Sequence, residues 1–266
     1  MEKQIIYQNQ SINYQITGKG NTIVFLHGFM ENLHMWDYHQ KVLSKDHQIV
    51  CIDLPGHGKS GIWSESHGMP FMAKMVALVL EEEKIDQCIL IGHSMGGYVT
   101  LAFAEKYENK LKGFGLFHSH AMADTEKDQV NRERAIQIVK NDKGGFITQF
   151  IPSLYNDENL SRFQSRIDEQ IELANQMNPK GIIAALAGMK DRSMRLDVLA
   201  FSSVPVLYIL GKHDSRIPLD KGLAQAAAAP FSQINVLGKS GHMGWIEEPD
   251  KSIAAILGFE KLCLNT

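Results

Sequence analysis

Ser94 stands between two glycines, each two residues away, in Gly92-His93-Ser94-Met95-Gly96. The apolar run Gln87-Cys88-Ile89-Leu90-Ile91 precedes this segment and a helix-forming stretch follows it, which places the serine on a strand-to-helix turn, the pattern of a nucleophile elbow. A serine hydroxyl attacks poorly at neutral pH. It becomes reactive when it is held exposed, beside a base and opposite hydrogen-bond donors that stabilise a developing oxyanion. The glycines fit this reading, because a strained serine backbone brings its second neighbours so close that a Cβ at either would clash. The backbone N–H of Met95 is expected to be one oxyanion donor.

A base and a group to orient it are needed next, and two later segments supply one candidate each. Asp214, in Leu210-Gly211-Lys212-His213-Asp214, follows the apolar run Val204 to Leu210. His242, in Gly238-Lys239-Ser240-Gly241-His242, follows Gln233 to Leu237. A neutral imidazole would take the Ser94 proton while the carboxylate fixes its tautomer, so activity is expected to rise through roughly pH 6 to 7. The plainer reading of Asp214 is a helix cap, and Asp220 lies nearby. His27-Gly28-Phe29-Met30 follows the run Thr22 to Leu26, and the Phe29 N–H is expected to be the second oxyanion donor. His27, His57 and His93 read as residues that hold loops, and Asp53 as part of a Pro-Gly-His-Gly turn rather than as a catalytic group.

The elements that must position these residues show in the pattern of apolar runs. Ile5 to Asn9 and Ile12 to Thr17 alternate as an antiparallel opening pair. Thr22–Leu26, Ile49–Ile52, Cys88–Ile91, Phe114–Phe117 and Val204–Leu210 are short and continuously apolar, as strands covered on both faces are. Gln233–Leu237 would be the last strand and Ile246 to Leu262 the last helix. With Met72–Glu83 and Tyr98–Lys106 at helical spacing, the expected fold class is α/β, a mostly parallel sheet wrapped by helices.

The rhythm breaks over residues 121–195, where Leu160, Phe163, Ile167, Ile171 and Ala174 recur at helical spacing, so this stretch reads as a helical insertion. Its acidic residues are matched one for one by Lys and Arg. Arg132, Arg134, Arg162 and Arg166 suit a solvated helix face better than a dock for an acidic carrier protein. The run Gly181–Ala187 is apolar nearly all round and is expected to face the interior of the insertion and the cleft beneath it.

A chain of 266 residues with 44% hydrophobic content can bury one large core. A net charge of -3 gives no footprint for nucleic acid or an anionic membrane. Cys51, Cys88 and Cys263 are odd in number and widely spaced, which suits buried thiols in a reducing compartment. The N-terminus lacks the basic and apolar segments of a secretory signal, so a cytoplasmic protein is expected, a monomer or homodimer acting on a small-molecule substrate.

His27-Gly28-Phe29, Asp53-Leu54-Pro55-Gly56-His57-Gly58-Lys59-Ser60, Gly92-His93-Ser94-Met95-Gly96-Gly97, Gly211-Lys212-His213-Asp214 and Gly241-His242 together resemble the α/β-hydrolase superfamily over nearly the whole chain. The resemblance implies an eight-stranded sheet with helices on both faces, a core of residues 1–120 and 196–266, and a helical cap over 121–195, between the sixth and seventh strands. It implies Ser94, Asp214 and His242 as a catalytic triad, with no metal and no organic cofactor. Dehalogenases and epoxide hydrolases of this superfamily carry an aspartate at the elbow, where this chain has Ser94. Esterases, lactonases, carbon-carbon bond hydrolases, cofactor-free haloperoxidases and some lyases share these motifs. A carboxylic ester hydrolase is the expected activity. A carbon-carbon hydrolase or lyase, or a ligand receptor with a slow triad, remain alternatives.

Overall fold

The computed structural model describes residues 2–265. Its strands are β1 (Glu2–Tyr7), β2 (Gln10–Thr17), β3 (Thr22–Leu26), β4 (Gln48–Ile52), β5 (Cys88–His93), β6 (Leu111–Phe117), β7 (Val206–Gly211) and β8 (Ser232–Leu237). They form one eight-stranded sheet in the order β1-β2-β4-β3-β5-β6-β7-β8. β1 and β2 make an antiparallel hairpin with Ile5 opposite Ile12, β2 runs antiparallel to β4, and every other pair is parallel. The interior strands β5 and β7 are buried along their whole length, which is why they read as unbroken apolar runs rather than as an alternation.

From β3 the chain crosses to one side to form β4 and then returns to the other side as β5. This reversal opens a crevice at the carboxyl ends of β3 and β5, the place where open α/β sheets bind ligands. Phe29 follows β3 and Ser94 follows β5, so the topology alone brings the two loops together.

Helices cover both faces. α1 (Asp37–Leu43) packs with the C-terminal helix α10 (Pro249–Asn265), while α2 (Met69–Glu82) packs with α3 (Met95–Tyr107), whose first ten residues are all buried. Between β6 and β7 the chain runs through α4 (Glu126–Phe150), α5 (Gln164–Gln176) and α6 (Pro179–Lys190); α7 (Leu196–Ala200), α8 (Leu219–Ala226) and α9 (Gly244–Glu247) are short. α4 opens on a capping box between Thr125 and Asp128 and kinks at Asp142, whose carboxylate accepts the Gly145 N–H at 2.8 Å.

α6 lies against the core through two glycines. A Cβ on Gly181 would stand 2.1 Å from the Gly56 carbonyl oxygen, and one on Gly188 would stand 1.9 Å from that of His67. Leu186 and Met189 of the same helix line the cleft beneath. The apolar run of α6 is thus spent on backbone-to-backbone packing as well as on the cleft.

Several boundaries differ from the sequence reading. α3 begins at Met95 rather than Tyr98, because the elbow itself starts the helix. The expected single helix over 246–262 is two: Pro249 lacks an N–H and fixes φ, and the chain breaks at Glu248 (φ −140°, ψ 59°) before restarting. Leu160 and Phe163 lie in the turns before α5, and only Ile167, Ile171 and Ala174 of that series sit on the helix. No helix among the described residues is long and apolar enough to cross a membrane.

Candidate active site

Ser94 adopts φ 49° and ψ −113°, a backbone state that non-glycine residues rarely hold, and its N–H is tied to the Phe117 carbonyl at 2.9 Å. The neighbouring glycines are needed sterically. A Cβ on Gly92 would meet the Gly96 carbonyl group at 2.2 Å, and one on Gly96 would meet the Leu26 and His27 carbonyl oxygens at 2.7 Å. Packing β3, β5 and α3 this closely leaves Ser94 half-buried, at the wall of the crevice.

The Ser94 Oγ lies 2.9 Å from His242 Nε2, and His242 Nδ1 lies 2.9 Å from Asp214 Oδ2. An ionised carboxylate only accepts, so Nδ1 of His242 carries the proton and Nε2 is left free to accept from the serine. The Asp214 side chain is fully buried. Burial alone would raise its pKa. The charge of His242 and the hydrogen bonds from His118 and His242 outweigh that and hold it well below the usual carboxylate range. Two backbone N–H groups, of Arg216 and Ile217, donate to Oδ1 at 2.8 and 2.9 Å. Asp220, by contrast, sits exposed in the first turn of α8.

One member of this network carried no signal in the sequence. His118, just past β6 and in the left-handed region (φ 50°), places Nδ1 2.9 Å from Asp214 Oδ2. Burial pushes its pKa down to about 4 despite the carboxylate, so the ring is a neutral donor, and its buried Nε2 has no hydrogen-bond partner among the described residues. His118, Asp214 and His242 are also the only group of side chains among the described residues close enough to share a metal ion. Both imidazoles already spend Nδ1 on the carboxylate, so an ion there would displace the bonds that orient His242.

His93 links the elbow to its partners. Its Nδ1 lies 3.1 Å from Glu31 Oε2 and its Nε2 lies 2.9 Å from the His242 carbonyl oxygen. Burial would lower the His93 pKa, but the charge of Glu31 outweighs it and the pKa is raised; burial would raise that of Glu31, but His93 holds it below the usual value. Glu31 Oε2 also accepts the Gly28 N–H at 2.8 Å, which fixes the loop carrying Phe29. The Phe29 N–H meets no acceptor among the described residues, and the Met95 N–H, the first of α3, has none within its helix.

Other polar residues of the region are structural, as their positions suggested. Asp53 accepts the Leu33 and Lys59 N–H groups and the Asn13 side chain, His27 Nε2 accepts the Leu54 N–H, and His57 Nδ1 faces the Pro55 carbonyl oxygen.

That cavity has a volume of about 460 Å³. Ser94, His242 and Phe29 lie on the core side, and Phe146, Phe150 and Leu186 close it from the insertion. Contrary to the expectation of a solvated face, Arg132 lines the cavity, with Nε 2.7 Å from Asp124 Oδ2. Arg134 is exposed, Arg162 lies over the Phe163 ring, and Arg166 pairs with Glu169 on the surface. A second, larger cavity of about 620 Å³ shares Phe29 and Leu154 with the first but does not reach Ser94.

The family model of the alpha/beta hydrolase fold matches residues 21–249. The chain belongs to the α/β-hydrolase family. Among solved structures it is similar to a thermophilic esterase from Thermogutta terrifontis, solved with malate bound, at 28% identity and a TM-score of 0.93, with 99% of each chain covered. Among curated proteins it is 24% identical over 272 residues to a 2-hydroxy-6-oxononadienedioate/2-hydroxy-6-oxononatrienedioate hydrolase from Burkholderia vietnamiensis, covering 93% of this chain and 90% of that protein. It is 25% identical over 252 residues to a dihydrolipoyllysine-residue acetyltransferase component of an acetoin cleaving system from Pseudomonas putida, covering 92% of this chain but only 65% of that longer protein.

Proposed function

We propose that the protein is a serine hydrolase that cleaves a small or medium carboxylic ester through an acyl-enzyme on Ser94. The observation that carries this reading is the 2.9 Å approach of Ser94 Oγ to His242 Nε2, continued at 2.9 Å to Asp214.

His242 removes the Ser94 proton as the oxygen attacks the ester carbonyl, and the carbonyl oxygen, now negative, enters the space before the Phe29 and Met95 N–H groups. The start of α3 adds the positive end of a helix dipole at the same point. His242, protonated, gives its proton to the departing alkoxide, which leaves as the alcohol. Water then enters, loses a proton to His242 and attacks the acyl carbon; as the Ser94–acyl bond breaks, His242 returns that proton to Ser94 Oγ and the carboxylic acid departs. Asp214 stays ionised throughout and stabilises the imidazolium.

The esterase from Thermogutta terrifontis supports the ester reading. The similarity to the Burkholderia hydrolase supports a second, a carbon-carbon bond hydrolase using the same three residues. Turnover of p-nitrophenyl butyrate decides between them, and Ser94→Ala is expected to lower it by about 10³-fold or more while the protein stays folded. Equal turnover by the variant would refute the role of Ser94, and cleavage of a vinylogous diketone without any ester turnover would favour the second reading.

A further inference from the structure

The walls of the Ser94 cavity hold more positive charge than their own acids match. Arg132, Arg192 and Arg216 face it, and the carboxylates that face it are Asp124 and Asp128. Asp124 is shared: its Oδ1 is held by Arg192 Nη1 and its Oδ2 by Arg132 Nε. Asp128 is turned back to the start of α4, where its Oδ2 accepts from the Thr125 hydroxyl at 2.6 Å and the Thr125 N–H at 3.1 Å. Neither neighbouring ring adds a charge. His120 is held neutral, its pKa pushed down to about 4 by burial and by Arg192, and Tyr98 lies under the Arg192 guanidinium at 4.1 Å.

Arg192 is engaged at each of its three nitrogens: Nε reaches the Met122 carbonyl oxygen, Nη1 the Met189 carbonyl oxygen and Asp124, and Nη2 lies 3.5 Å from His120 Nε2. The other two guanidiniums are not. Arg132 uses only Nε, and Arg216, lying over the Phe150 ring, uses only Nη2, on the Ser153 hydroxyl. The remaining donors of both meet no acceptor among the described residues. Arg132 is half-buried beside Asp124 and Arg216 stands exposed at the mouth near Asp214, so both guanidiniums present unpaired N–H donors to the same space as the nucleophile. A carboxylate suits those donors, because its two oxygens match a guanidinium fork and pair with it through charge-assisted hydrogen bonds.

We propose that Arg132 and Arg216 form a carboxylate subsite, and that the substrate is an ester or lactone whose acyl part carries a free carboxylate besides the scissile carbonyl. The proposal rests on Ser94 being the nucleophile of an ester hydrolase. In the bound state the substrate carboxylate accepts from the free Nη groups of Arg132 and from Arg216, which holds the far end of the acyl part while Ser94 attacks the near end.

Two measurements test it. The first compares mono-p-nitrophenyl glutarate with p-nitrophenyl pentanoate, which share a leaving group and differ in the terminal carboxylate. The glutarate ester is expected to have a KM at least tenfold lower, and Arg132→Gln and Arg216→Gln are each expected to shrink that preference by about tenfold, the effect of losing a charge-assisted hydrogen bond. Equal KM values for the two esters, or a preference unchanged in both variants, would overturn the subsite. The second titrates Ser94→Ala protein with glutarate dianion, expecting binding that weakens tenfold or more when Arg132→Gln is added. Absence of binding, or binding indifferent to Arg132→Gln, would overturn it as well. If neither ester is turned over, the ester hydrolase reading falls, and the titration still decides the subsite.

Discussion

His118 and His242 hold one carboxylate between them, each with Nδ1 2.9 Å from the same oxygen, Asp214 Oδ2. The carboxylate's charge is therefore divided between a ring within reach of the Ser94 hydroxyl and one whose far nitrogen has no partner among the described residues. Removing His118 takes one of the hydrogen bonds that hold the carboxylate in place beneath His242. His118→Ala is expected to lower kcat by about tenfold with KM little changed, and His118→Gln, which can still donate to Asp214, to restore most of the loss. Equal activity in His118→Ala, or no rescue by His118→Gln in a folded protein, would contradict this role.

Glu31 and His93 form a buried pair beneath the loop that carries Phe29. Since the His93 pKa is raised in the folded protein, the stability it contributes is complete below its ordinary pKa and is lost as pH rises through the raised value; Glu31, with its pKa lowered, contributes stability that is lost only in acid. His93→Leu leaves the Glu31 carboxylate without its partner and is expected to cost roughly 3 kcal/mol at pH 7. Denaturant unfolding should show this cost shrinking toward alkaline pH, where the wild-type pair has itself been lost.

His39 acts in the opposite direction. It is buried against the Trp36 ring with Nε2 2.7 Å from Ser252 Oγ, and burial pushes its pKa down to about 3. Below the ordinary histidine pKa the unfolded chain binds a proton that the folded one refuses, so stability falls with pH by about 1.4 kcal/mol per unit from this group. Between pH 6.5 and 5, His39→Gln is expected to lose about 2 kcal/mol less than the wild type by urea unfolding. Equal losses would contradict the assignment.

The contact between α6 and the core gives a prediction that involves no charge. Gly181→Ala would drive a methyl group against the Gly56 carbonyl oxygen, a backbone atom that cannot turn aside. It is expected to cost about 1 to 3 kcal/mol and to raise KM, because Leu186 and Met189 on the same helix line the cavity. The melting temperature and KM of the variant check this, and neither should change if the helix is loosely held.

Much of the fold was legible in the sequence because the central strands are covered on both faces and so read as apolar runs of a fixed length. The elbow was legible because glycine is required on both sides of Ser94. His118 was not, since one histidine after a strand among eleven in the chain has no distinguishing neighbour, and its partner is 96 residues away. Arg132 misled for a related reason: the charge balance of the insertion suggested a solvated face, while the direction of the side chain depends on how α4 lies over the core. The break at Pro249 was visible in the sequence but was outweighed by the helical spacing on either side of it.

If His242 activates the Ser94 oxygen as a nucleophile, that oxygen is open to covalent capture by a fluorophosphonate, and the intact-protein mass after incubation reads the capture. A single phosphonyl adduct is expected, located on Ser94, forming in step with loss of ester turnover and absent from Ser94→Ala. An unmodified wild-type protein, or an adduct that persists in Ser94→Ala, would refute Ser94 as the nucleophile.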